Sequence, residues 1–120
     1  MGVAPRLWGP VLVWAAAIFA ASSRSDTGLA GRIPDWLTHG IAYGVLSLLL
    51  ARALAGGFGA PLATGTAVLA VALATAYGVS DELHQSFVPG RDASAADVLK
   101  DLAGAAVGAG AYRLRFRPAA

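Results

Sequence analysis

Four long stretches of mainly apolar residues, at about 3–21, 36–55, 61–80 and 94–112, alternate along this chain with short segments rich in glycine, proline, serine and charge. A helix needs about 20 such residues to cross a hydrocarbon core of about 30 Å, so each stretch predicts a membrane span. The breaks between them carry local signals. Pro34 followed by Asp35 makes a helix start, and Gly56, Gly57 and Gly59 separate the second stretch from the third. Ser94 with Asp97 three residues later has the form of a capping box at the start of the fourth. The connections are short and none is a Pro-rich or low-complexity linker. The expected architecture is therefore a single all-α domain over residues 1–120, a membrane-embedded antiparallel four-helix bundle. Arg6, the apolar run and the small residues Ala20, Ala21 and Ser22 also have the form of a secretory signal; we read the segment as a retained span.

Composition supports a membrane protein. Hydrophobic side chains make up 57% of the 120 residues and charged ones 13%, too apolar for an ordinary small soluble domain. The lack of cysteine excludes disulfides, thiol nucleophiles and thiolate metal sites. Chemistry is left to carboxylates, two histidines, hydroxyls and basic groups. The net charge is only +2 and no basic stripe with interleaved aromatics occurs, which argues against nucleic acid as a partner.

Threading four antiparallel helices in order sorts the charges between the two faces. Arg6, Arg52, Arg113, Arg115 and Arg117 fall at one face with no carboxylate among them. Asp26, Asp35, Asp81, Glu82, Asp92, Asp97 and Asp101 all fall at the other, accompanied by Arg24, Arg32, Arg91, Lys100, His39 and His84. The cluster of C-terminal arginines favours both termini in the cytoplasm by the positive-inside rule. The carboxylates and histidines then face the outer leaflet.

The densest chemistry lies between Tyr77 and Gly108, around Asp-Glu-Leu-His-Gln-Ser-Phe-Val-Pro-Gly-Arg at 81–91. Ionisable groups at a membrane boundary are costly unless paired or hydrated, which makes them functional candidates. Asp35, His39 and Tyr43 recur every four residues and so share one helix face, reaching about 12 Å inward at about 1.5 Å per residue. Tyr77, Asp81 and either His84 or Gln85 do the same at the end of the third helix. Asp97 and Asp101 lead along one face of the fourth to Gly104 and Gly108. Gly40 with Gly44, and Gly104 with Gly108, are small-residue pairs that let helices approach closely. The candidate binding residues are His39, Tyr43, Asp81, Glu82, His84, Gln85, Arg91, Asp97 and Asp101, gathered around a polar pocket open to the outer surface. Asp35 and Asp97 equally fit plain helix-start roles, and Pro89-Gly90 a plain turn.

The set His39-xxx-Tyr43-Gly44, Asp81-Glu82-xx-Gln85 with Gly90-Arg91, and Asp97-xxx-Asp101-xx-Gly104-xxx-Gly108 resembles the VanZ-like family of small polytopic membrane proteins. The resemblance covers about residues 35–108. Two positions depart from the family pattern: Trp36 stands where a lysine is usual, and Asp101 where asparagine is usual, which adds a negative charge. The resemblance implies a bacterial cell-envelope protein linked to low-level glycopeptide (teicoplanin) resistance, and it implies no established reaction.

Two functions fit these residues. One is binding, without catalysis, of a lipid headgroup, a lipid-linked envelope precursor or an amphipathic glycopeptide. The other is a membrane-embedded acid/base or metal-dependent enzyme acting on a lipid-linked envelope substrate, with Arg91 holding a phosphate or carboxylate. Carboxylates with imidazole suit a divalent metal or proton transfer alike, so the cofactor stays open. Binding is preferred because no HExxH, no GxSxG and no lipid-phosphatase signature is present. A transporter ranks third, since four short helices enclose little pathway.

Overall fold

The computed structural model describes residues 2–24 and 32–119. Four helices follow one another: α1 (Val3–Ser22), α2 (Asp35–Ala55), α3 (Thr64–Gln85) and α4 (Ala95–Arg115), and no strand occurs among the described residues. Helices of this length run about 30 Å at about 1.5 Å per residue. The third differs most from expectation: it starts at residue 64 rather than 61 and continues to 85 rather than 80. Asp81 and Glu82 lower the hydropathy there, but both are buried and both are bonded, so they do not end the helix. The fourth begins at 95, with Ser94 as its cap, and ends at 115 rather than 112.

Three helices, α1, α2 and α3, are long and apolar enough to cross a membrane. The fourth was expected to join them; its sequence is more polar, because Asp97, Lys100 and Asp101 sit in its first two turns. Its surface tells a different story from its average. Leu99, Leu102, Val107 and Leu114 point outward, while Asp101, Gly104, Gly108 and Tyr112 are buried. The other helices also expose large apolar side chains, among them Leu12 and Phe19 on α1, Ile41 on α2, and Val68 and Leu73 on α3. An apolar exterior around a partly polar interior is the arrangement hydrocarbon requires.

The helices run antiparallel, and side chains tie each end together. At the arginine end, Tyr112 donates its hydroxyl to the Gly57 and Ala60 carbonyls, linking the end of α4 to the α2–α3 turn. That turn closes α2 with Gly56 at φ +94°, a left-handed conformation that glycine adopts without a Cβ penalty. Pro10 lies inside α1 and has no N–H to offer the Arg6 carbonyl four residues back. Arg52 fills that gap from α2, donating to Arg6 O at 3.0 Å and to Leu7 O at 3.2 Å.

Helices α2 and α4 form the most extensive interface, and α1 packs on α2 and α3 without touching α4. Glycine sets the central approach. A Cβ on Gly104 would lie 2.5 Å from the Gly40 carbonyl oxygen, and one on Gly108 would collide with the Gly44 carbonyl and lie 2.5 Å from Ser47 Oγ. Without a hydrophobic effect to separate helix from lipid, such close backbone packing is a main source of association. Ser47 adds a hydrogen bond across the same seam, to Ala105 O at 2.7 Å.

Candidate functional site

The described carboxylates all lie at the end of the bundle opposite Arg52, Arg113 and Arg115, where α2 and α4 begin and α1 and α3 finish. Asp26, which the sequence assigns to the same face, is outside the described residues.

At the centre is a contact between helices. His39 Nδ1 lies 2.6 Å from Asp101 Oδ1, and Asp101 is fully buried. His39 stands about one turn inside α2 and Asp101 nearly two turns inside α4, and the glycine seam just below holds the two helices close enough for them to meet. Space for the Asp101 carboxylate comes from α3: a Cβ on Gly78 would stand 2.7 Å from Asp101 Oδ2. The other ring nitrogen of His39 faces Asp35 Oδ1 at 3.6 Å and Asp97 Oδ2 at 3.8 Å. Lys100 joins those same two acids, reaching Asp97 Oδ1 at 2.8 Å and bonding Asp35. Trp36 follows Asp35 where a lysine is usual in the resembling pattern; the cation beside Asp35 comes instead from α4.

The end of α3 contributes two further buried acids. Asp81 Oδ2 accepts from the Tyr43 hydroxyl at 3.2 Å and from Gln85 Nε2 at 3.3 Å, and Gln85 also reaches Ser22 Oγ on α1 at 3.3 Å. Glu82 Oε2 accepts the backbone N–H of Ser94 at 2.8 Å. In a capping box the residue three places into the helix would serve that N–H. Here Asp97 turns to Lys100, and a carboxylate from α3 performs the capping role for α4. Ser94 keeps the other half, its hydroxyl accepting from Ala96 N at 3.1 Å.

His84, expected in the same cluster, turns to α1: its ring stacks on Phe19 with centroids 4.4 Å apart, and Nε2 lies 3.4 Å from Ser23 Oγ. Successive positions on α3 thus divide, with Asp81, Glu82 and Gln85 inward and Leu83 outward. Arg91 follows the turn at Pro89 and Gly90, where Gly90 takes φ +79° and Arg91 N bonds Val88 O at 3.1 Å. That turn brings its side chain to the wall of a cavity.

The cavity, of about 910 Å³, lies between α1, α2 and the end of α3. One wall is apolar, formed by Trp14, Ala17, Ile18 and Ala42. The other is polar, with Asp35, His39, Tyr43, Asp81, Gln85 and Arg91, and Arg32 at the rim. Two aromatic hydrogen bonds latch α1 beside it: Trp14 Nε1 to Ala42 O at 2.8 Å and Tyr77 hydroxyl to Ala15 O at 2.6 Å. Nothing in the spacing of α1 relates Trp14 to the acids 20 or more residues later. Lys100, Asp35, Ser22 and Ser94 are likewise partners that the candidate set did not contain. Asp35 left a signal in its spacing of four from His39, Ser94 in the capping-box pattern, and Lys100 in its place among the acids.

A family model described as VanZ/LLP1 matches residues 8–116, nearly the whole chain. No curated protein and no solved structure matches it.

Proposed function

From the chain's membership of the VanZ/LLP1 family, we propose that this membrane protein works in the bacterial cell envelope by holding an amphipathic lipid, its headgroup on the polar wall of the α1–α3 cavity and its chain along the apolar wall. The observation that carries the reading is the two-faced lining: Trp14, Ala17 and Ile18 opposite His39, Asp81 and Gln85. A concave site that is mostly apolar, with a few converging polar groups, is the usual form of a small-molecule site. Its mixture of acids with Arg32 and Arg91 suits a headgroup bearing both hydroxyl or amino donors and a phosphate. A lipid-linked envelope precursor has that chemistry, and retaining one at the outer face would alter how much is exposed to a glycopeptide. The link to low-level teicoplanin resistance that the family resemblance implies follows from the same step.

The test is to extract the protein with its native lipid in polymer discs and identify co-purifying lipids by mass spectrometry. Wild type should retain one lipid class above its bulk abundance. Ala17→Trp, which puts an indole across the apolar wall and removes no polar group, should lose it and also lower teicoplanin tolerance in a complemented deletion strain. Bulk lipid composition in wild type, or retention in the Ala17→Trp variant, would defeat the reading.

A further inference from the structure

Three carboxylates at the acidic end stand out by what they lack. Lys100 is engaged by Asp35 and Asp97, and among the described residues no lysine or arginine lies within ion-pair distance of Asp81, Glu82 or Asp101. Asp81 is served by two donors, Tyr43 and Gln85. Glu82 and Asp101 each have one oxygen served and one not: Glu82 Oε1 and Asp101 Oδ2 are buried without a hydrogen-bond partner. Both residues are at least nine-tenths buried, at 5% and 0% exposure. Leaving a buried acceptor unsatisfied is costly, and more so for a charged one. The region is also enclosed by helices with lipid-facing apolar surfaces, where an excess of anionic groups is least tolerated.

Donor atoms of His39, Glu82 and Asp101 lie within 4.8 Å of one another, one from each of α2, α3 and α4. We propose that these three side chains form a binding site for a divalent transition cation of the Zn²⁺ or Mn²⁺ type, which cross-links the three helices at their polar end. An imidazole with two carboxylates is a donor set for such ions rather than for Mg²⁺ or Ca²⁺, which prefer oxygen alone. Four-coordinate binding at about 2.1 Å separates donors by about 3.4 Å, so side-chain rotations of about an ångström close the site. The ion takes the place of the proton between His39 Nδ1 and an Asp101 oxygen, and a Glu82 oxygen supplies the third donor.

A second set, Asp35, His39 and Asp97, shares the histidine. It is less suited, because Lys100 already bridges both acids and its positive charge opposes a cation there. Asp35 is also largely exposed. The two sets make different predictions for Asp35, and this allows a clean test.

Full-length protein in delipidated detergent micelles would be stripped with chelator, dialysed against Zn²⁺ or Mn²⁺, and assayed for bound metal and for unfolding temperature with and without the ion. Wild type should hold about one ion per chain and unfold at a higher temperature when loaded. Glu82→Gln and Asp101→Asn should each weaken uptake by about tenfold or more, and Asp35→Asn should retain it. If Asp101→Asn fails to accumulate, Glu82→Gln decides alone, since glutamine still accepts from Ser94 N. Absence of stoichiometric uptake by wild type, uptake surviving Glu82→Gln, or loss on Asp35→Asn would each overturn the proposal. The assay contains no lipid, so its outcome is independent of what the cavity holds.

Discussion

His39 and Asp101 meet at 2.6 Å across the α2–α4 interface, at the level where the two helices stop touching through glycine and begin touching through charge. The pair couples the packing seam to the polar end, since neither residue can keep its partner if the helices separate. Removing one member of a buried pair leaves the other uncompensated, at a cost of about 3–5 kcal/mol. His39→Ala should therefore destabilise strongly, and adding Asp101→Asn should recover part of the loss. A double-mutant cycle by denaturation in mixed micelles measures the coupling. Additive losses would show that the two side chains act independently.

The Arg52 guanidinium substitutes for a missing helical donor. With Pro10 in place, Arg52→Met should leave the Arg6 carbonyl unserved and cost about 1–3 kcal/mol. In a Pro10→Ala background the helix supplies its own N–H, and the same substitution should cost measurably less. Equal costs in the two backgrounds would break the link between proline and arginine.

Glycines that look alike in the sequence should behave differently. Gly108→Ala and Gly104→Ala place a methyl group against the α2 backbone and should destabilise by about 1–3 kcal/mol or prevent accumulation. A Cβ on Gly40 meets nothing within 4 Å, so Gly40→Ala should be neutral or gain up to about 1 kcal/mol from helix propensity. Accumulation and thermal unfolding of the three variants decide the point.

The arginine end carries a prediction about orientation. We predict that a reporter fused after Arg117 is active only in the cytoplasm and that Ser86→Cys is labelled by an impermeant reagent from outside. Labelling of Ser86→Cys only after permeabilisation would reverse the bundle in the membrane.

The number and order of helices, and the separation of acids from the arginine end, were legible in the chain because they depend only on apolar run length and on counting turns. The stripe of Asp35, His39 and Tyr43 was legible for the same reason, as helical spacing is a local property. The end of α3 was not, because hydropathy is averaged around the whole circumference and cannot register that Asp81, Glu82 and Gln85 face inward while Leu83 faces out. On α4 the spacing did place Asp97 and Asp101 on the face of Gly104 and Gly108, although its average hydropathy is the lowest of the four. Spacing alone left His84 and Gln85 equivalent; the rotation of α3 against α1 sends one to Phe19 and the other to Ser22. Partners on different elements, such as Glu82 with Ser94, Lys100 with Asp35 and Arg52 with Arg6, were fixed by how the helices are turned about their axes. That rotation is set by where backbones can approach, at Gly104 and Gly108, and by the room Gly78 leaves for the Asp101 carboxylate, and such a fit exists only when both surfaces are present.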